Sequence, residues 1–158
     1  MKHGLGALAL AALVGVGAAN AAPSTMGGNA ALTVAALVGQ SSPSLSAAQK
    51  HVLMKFLGGV TNFPSSNAPI HLHVDAIHCQ LGDVSLVEHK CQITYGAATT
   101  SENGEEGAAI LANLALAGVF ADGAAGTIHY DATDINCTID VAVVKTPSGG
   151  GVTCTYMP

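Results

Sequence analysis

The residues best suited to chemistry are two histidines, His71 and His73, which flank a single leucine. The stretch 70–79 around them alternates apolar and polar side chains, which predicts a β-strand with both imidazoles on one face. Imidazoles at this spacing can ligate one Zn²⁺ or Cu²⁺ ion. His78 has the opposite parity along the chain, and we expect it to lie on the other face of the strand.

A similar pattern returns 58 residues further along the chain, where His129 matches His71 and Asp131 matches His73. If two copies of one unit packed about a twofold axis, these four side chains would converge on a site with three or four nitrogen and oxygen ligands. Alternating polar residues are equally typical of the solvated face of a half-exposed strand. The sequence therefore leaves two interpretations, a Zn²⁺ or Cu²⁺ site and an ordinary strand face, and indicates no other cofactor.

Nucleophilic and acid–base catalysis have no recognisable signature in the chain. No Gly-x-Ser-x-Gly segment occurs, so the serine elbow of the α/β-hydrolases is absent. The carboxylates that lie close together in the sequence have spacings typical of solvated strand and helix faces; they are Asp131, Asp134, Asp140, Glu105 and Glu106. We therefore assign no catalytic residue and expect a protein that is not an enzyme.

The four cysteines are Cys79, Cys91, Cys137 and Cys154. An even number in an exported chain indicates two disulfides, and the lack of a Cys-x-x-Cys segment disfavours a zinc site. The internal match assigns one cross-link to each unit, Cys79–Cys91 and Cys137–Cys154, because each would join the two strands of one hairpin. The alternative pair, Cys79–Cys137, would join the two units instead.

The first 21 residues have the three parts of a secretory signal peptide. A short basic start precedes an uncharged apolar run at 5–18, and small residues at 19–21 place the cleavage between Ala21 and Ala22. The apolar run is shorter than the roughly 20 residues that a membrane-spanning helix needs. We expect a secreted or periplasmic protein that is not inserted in a membrane after cleavage.

Composition excludes two classes of partner. The formal net charge is −5, the five basic side chains are all lysines, and tryptophan is absent. Nucleic acids and anionic membranes bind basic surfaces, so we expect neither as a partner. An apolar fraction of 49% with only 9% charged residues also excludes intrinsic disorder.

Apolar periodicity and turn residues predict the elements of the fold. Residues 22–43 form an N-terminal segment in which the apolar stretch 30–38 is expected to be a short helix, with a strand as the alternative. Residues 44–57 are predicted to be an amphipathic helix with a capping box at Ser46. The polar segment 99–104 ends in Asn-Gly, which predicts a turn. The remaining elements are a second main helix at 105–116 and strands at 70–79, 87–95, 127–144 and 151–156.

These elements predict an α+β fold of antiparallel β-hairpins with two main helices packed on one side. The chain from 44 to 158 is expected to be a single domain. The internal match divides it into two helix–hairpin (αββ) repeats, 44–98 and 104–158. Loops at 82–86 and 145–150 would connect the strands of each hairpin and be available for contact with a partner.

Four segments carry a resemblance to other proteins: LSAAQKHVL at 45–53, DGAAG at 122–126, CTID at 137–140 and GGGVTC at 149–154. Through them the chain resembles a group of small, secreted proteobacterial proteins that are known only as uncharacterised. The resemblance implies export and a shared fold. It implies no activity and no site residue, and His71-x-His73 is not part of it.

By elimination we expect an exported, non-catalytic binding or interaction module whose partner is a protein or a small molecule. Two alternatives from other classes remain. One is a Zn²⁺ or Cu²⁺ binder that uses the His-x-His strand, and the other is a hydrolase inhibitor or an enzyme without a recognised motif. The structure distinguishes them by whether His71, His73 and His129 lie together or an apolar groove opens on the sheet.

Overall fold

The computed structural model describes residues 22–60, 68–81, 90–119, 128–144 and 150–158. The expected signal peptide at 1–21, the loop 82–86 and residues 145–149 of the second loop lie outside these ranges. Within them the chain forms three helices and a six-stranded antiparallel sheet, so the predicted α+β class is confirmed.

The elements follow one another in an order that places two helices before the first long strand. They are β1 (Ser24–Gly27), α1 (Gly28–Gly39), α2 (Ala47–Leu57), β2 (Ile70–Leu81), β3 (Lys90–Tyr95), β4 (Ala98–Asn103), α3 (Gly104–Leu116), β5 (Ile128–Ile139) and β6 (Val152–Met157). The order across the sheet is β1-β6-β5-β2-β3-β4. The two 12-residue strands, β2 and β5, therefore form its centre.

The helices cover one face of this sheet. α1 and α3 contact each other and the strands, while α2 packs on α1. Large buried side chains such as Phe56, Leu72, Ile110 and Ile135 fill the space between the layers. None of the helices in the described ranges is long and apolar enough to cross a membrane.

Local signals fix where two of the helices begin. The Oγ of Ser46 accepts a hydrogen bond from the backbone N–H of Gln49 at 3.2 Å, and the side chain of Gln49 accepts one from the N–H of Ser46 at 2.8 Å. This is the predicted capping box at the start of α2. The chain enters α3 through Gly104, whose φ of 62° is unfavourable for any residue with a Cβ.

Both disulfides form as the sequence predicted. Cys79 bonds to Cys91 and Cys137 bonds to Cys154, and in each pair the two residues lie directly opposite one another in adjacent strands. All four cysteines face the helices and are buried. Each disulfide therefore joins the two strands of one hairpin beneath the helical layer.

A pseudo-twofold axis passes through the centre of the sheet. β2 pairs with β5 in one continuous register, in which His71 faces Thr138 and Gln80 faces His129. The 58-residue offset between the halves converts the first of these pairs into the second. The same axis relates β3 to β6 and β4 to β1. β3 and β6 flank the central pair on its two sides, and β4 and β1 are the two edge strands.

The symmetry also relates α1 to α3. The Sγ atom of Cys91 lies 3.3 Å from the carbonyl oxygen of Gly107 in α3, and that of Cys154 lies 4.0 Å from the carbonyl oxygen of Ala31 in α1. α1 also begins, like α3, at a glycine of positive φ. The unit that occurs twice in the fold is therefore βαββ, with α2 as an addition to its first copy.

The two edge strands were not predicted. We expected a turn at 99–104, but β4 pairs with β3 along its whole length through the two-residue turn Gly96-Ala97. No residue of β4 is buried, and only Met26 is buried in β1. Apolar alternation cannot reveal a strand whose position comes from its neighbour's backbone.

Candidate functional site

Halfway along β2 and β5, the side chains that point toward the helices shift from one set of alternate positions to the other. In β2 the alternation of buried residues holds as far as Val74 and then resumes at Ile77, with Asp75 and Ala76 turned outward between them. β5 does the same opposite them, where Asp134 adopts a φ of 48°. The predicted single alternation, with Ala76 on the buried face, was therefore wrong.

This change of phase brings His78 onto the same outer face as His71 and His73. His78 had been expected on the opposite face, because the prediction assumed unbroken alternation. His129 lies on β5 diagonally across from His78, and the two rings stack with centroids 5.1 Å apart. In the described strands the outer face thus carries four imidazoles, of which His78 is the one that the alternation had placed on the opposite face.

The four proposed ligands do not converge. His71 and His73 lie at one end of the β2–β5 pair, and Asp131 and His129 lie at the other. His71 is nine positions from Gln80, the partner of His129, which at about 3.3 Å per residue separates the two histidines by roughly 30 Å. The expectation failed because a twofold axis between antiparallel strands brings together only residues close to the axis.

The end that carries His78 is a pair of stacked rings with one carboxylate. The Nδ1 atom of His78 is hydrogen-bonded to an Oδ atom of Asp131, its direct partner in the ladder. The Nδ1 atom of His129 is buried and has no hydrogen-bond partner among the described residues. Stacked rings direct their nitrogen atoms to the side instead of toward one shared ion, and the described ranges contain no grouping of three His, Cys, Asp or Glu side chains that could hold a metal.

The end that carries His73 is richer in acceptors. Its Nδ1 atom lies 2.8 Å from Oδ1 of Asn136, and its Nε2 atom lies 3.4 Å from Oδ1 of Asp75. The hydrogen bond to Asn136 raises the pKa of His73, with further contributions from Asp75 and Asp134. The pKa of Asp75 is lowered, first by the backbone N–H of Gly96 and then by His73.

A groove opens on the opposite side of the molecule, where the three helices meet. Its volume is about 660 Å³, within the range of about 300–1,000 Å³ that is usual for small-molecule sites. Its lining comes from α1, α2 and α3 and from the turn after α2: Asn29, Leu32, Thr33, Phe56, Leu57, Gly59, Asn113 and Leu116. A second cavity, between α2 and the start of β2, is smaller, at about 160 Å³.

The described residues that line the groove are all uncharged. Leu32 and Phe56 form a buried floor, while Leu116 at the end of α3 is 81% exposed. Asn29, Thr33 and Asn113 add amide and hydroxyl groups, and Asn113 donates to the carbonyl oxygen of Ala109 in its own helix at 2.8 Å. Such a lining can hold an apolar molecule and orient an uncharged polar group, but it offers no acid or base.

The sequence did not predict this groove. The apolar stripe of α2 had been identified, and Phe56 and Leu57 belong to it. Leu116 is the last residue of the helix predicted at 105–116. The groove depends on the angles at which three helices converge and on α1 lying between the other two, and neither is encoded in the periodicity of any one segment.

Comparison with known proteins gives no further guide. The chain matches no family model, no curated protein and no solved structure. The fold and the groove define it as a disulfide-linked α+β protein built from two βαββ units around one central pair of strands.

Proposed function

We propose that this chain is an exported, non-catalytic binding protein whose ligand is a small, uncharged, largely apolar molecule held in the groove between α1, α2 and α3. The observation that carries the proposal is the groove itself. It combines a volume of about 660 Å³ with an apolar floor and a few uncharged polar groups, which is the usual composition of a ligand site.

The lining of the groove supports binding over catalysis. A hydrolytic or acid–base reaction needs a nucleophile beside a base, or a titratable group in reach of the substrate. Among the described residues that line the groove, the hydroxyl of Thr33 is the only nucleophilic side chain, and none of them is a histidine or a carboxylate. The most direct use of such a surface is to remove an apolar molecule from water.

Export is supported by two independent features of the chain. The N-terminal pattern is that of a secretory signal peptide, and both disulfides are of the kind that persists in oxidising compartments. A secreted or periplasmic location would expose the groove to small molecules of the cell envelope or the medium. The Zn²⁺ or Cu²⁺ alternative gains no support from histidines that lie in two separate pairs, and we do not carry it further.

The proposal is tested with the uncharged fluorescent probe N-phenyl-1-naphthylamine, titrated into the disulfide-bonded protein. We expect saturable binding of one probe per chain. Leu116→Glu should weaken it about tenfold or more, because binding would have to desolvate the new carboxylate. Leu116 is largely exposed, so this substitution leaves the core intact.

A matched control is available outside the groove. Val143 is also an exposed aliphatic residue, at 50%, and it does not line the groove. Val143→Glu should therefore leave the affinity for the probe unchanged. Equal loss in both variants, or no saturable binding by the unmodified protein, would refute the proposal.

A further inference from the structure

A chain of hydrogen-bonding groups crosses the outer face of the sheet at the place where β2 and β5 change phase. It starts at Asp134 in β5, continues through Asn136 to His73 in β2, and passes through Asp75 to the turn between β3 and β4. The last link is the backbone N–H of Gly96, which donates to Oδ2 of Asp75 at 2.5 Å. The imidazole of His73 therefore links β5, β2 and, through Asp75, the β3–β4 turn.

The orientation of the Asn136 amide is fixed by its neighbours. Its Nδ2 group donates to the carbonyl oxygen and to Oδ1 of Asp134, at 3.0 and 3.1 Å. The amide oxygen must then be the atom that faces Nδ1 of His73, 2.8 Å away. A carbonyl oxygen only accepts, so this nitrogen of the ring carries a proton.

The second ring nitrogen also faces an acceptor. Nε2 of His73 lies 3.4 Å from Oδ1 of Asp75, and a neutral ring with its proton on Nδ1 would direct a lone pair at that carboxylate. Only the doubly protonated imidazolium has a donor for Asn136 and another for Asp75. The arrangement thus favours one protonation state by geometry.

We propose that His73 is a pH-sensing residue, whose protonation closes a continuous polar bridge from β5 through β2 to the β3–β4 turn, by a hydrogen bond to Asn136 and an ion pair with Asp75. Loss of the Nε2 proton opens the bridge at Asp75. The carboxylate then bonds to Gly96 without a cationic partner, and the turn loses its side-chain link to β5 while the backbone ladders remain. The proposal is independent of the groove and of its ligand.

The charged groups that face His73 from the described strands are two carboxylates, and both favour its protonated form. Asp75 faces it from β2 and Asp134 from β5, with Oδ1 of Asp134 at 3.7 Å. His71 precedes it on the same face and lies 3.4 Å from the hydroxyl of Thr138. The β3–β4 turn contributes the N–H of Gly96 through Asp75, and β6 presents Thr155 beyond Asn136.

Titration by NMR tests the bridge directly. The ring nitrogens of His73 and the backbone amide of Gly96 are followed in the disulfide-bonded protein between about pH 5 and pH 8.5. We expect His73 to titrate above the ordinary histidine value of 6.5 and the Gly96 amide to show a step at the same pH. The shared midpoint is a signature that a merely structural contact would not produce.

Two variants separate the bridge from a general effect of pH. His73→Gln keeps a polar side chain at this exposed position but cannot titrate, and should abolish the Gly96 step. His71→Gln removes the neighbouring imidazole and should leave the step in place. The proposal is overturned if the step persists in His73→Gln, if it disappears in His71→Gln, or if His73 titrates at or below 6.5 in the unmodified protein.

Discussion

The hydroxyl of Tyr95 donates a hydrogen bond of 2.5 Å to the carbonyl oxygen of Val38, near the C-terminal end of α1. Tyr156 makes the symmetry-related contact with the carbonyl oxygen of Ala117, just after α3, at 3.4 Å. Both tyrosines are buried at the ends of the strands that carry the second cysteine of each disulfide. Each βαββ unit therefore has its helix held to its own hairpin at one end.

The contact of Tyr95 predicts a small, specific loss of stability. Burial raises the pKa of Tyr95 to about 12, so the hydroxyl remains a donor throughout the physiological range. Tyr95→Phe should lower the free energy of unfolding by about 0.5–1.5 kcal/mol. The loss is modest because the carbonyl oxygen of Val38 also accepts from the N–H of Ser41, at 3.3 Å. Urea unfolding measures it.

Tyr156→Phe is the matched control for this experiment. Its hydrogen bond is longer, so its removal should reduce stability by less than that of Tyr95. A larger effect at Tyr156 would show that the two contacts do not contribute as their geometry implies.

Removal of either disulfide should lower the free energy of unfolding by much more than the loss of either tyrosine hydroxyl. The cross-links close loops between residues separated by 12 and by 17 positions. In the chain-entropy model each contributes about 3 kcal/mol. The double variant Cys79→Ala/Cys91→Ala should lose about that much in urea unfolding, and Cys137→Ala/Cys154→Ala should lose a similar amount. A marked difference between the two would contradict their equivalence under the pseudo-twofold axis.

The His73–Asp75 pair predicts how stability depends on pH. The pKa of His73 is raised from 6.5 in the fold, so its contribution is fully present below pH 6.5 and is lost as the pH rises through the folded value. The pKa of Asp75 is lowered from 3.8, so its contribution is present above pH 3.8 and is lost as the pH falls through the folded value. Together the two groups stabilise the fold most between these limits.

Thermal unfolding at a series of pH values checks this prediction. The midpoint temperature should decline on the alkaline side of the window, and His73→Gln should flatten that decline. On the acid side the same variant should reduce the dependence on pH only in part, because Gly96 is the first cause of the lowered pKa of Asp75. If His73→Gln instead lowered the midpoint temperature by the same amount at every pH, His73 would contribute to stability through packing and not through titration.

The sequence predicted those parts of the fold that rest on local chemistry. The capping box of α2 is a contact between residues three positions apart, and each cysteine pair lies within one hairpin. Such features depend on spacing along the chain alone. The α+β class follows from the same local periodicities.

The parts that were missed depend on distant segments. β4 is polar along its length and becomes a strand only because β3 offers it a complete ladder. The face of His78 depends on a change of phase shared by two strands that are far apart in the sequence. The groove requires Leu32, Phe56 and Leu116 from three different helices.

The central claim is that the groove is the ligand site, and methyl NMR tests it most directly. N-phenyl-1-naphthylamine is added to the disulfide-bonded protein, and the leucine and valine methyl signals are recorded. The largest shifts should fall on Leu32, Leu57 and Leu116, while Val143 stays unchanged. Shifts that are absent from these three leucines, or that concentrate on the strands of the sheet, would contradict the claim.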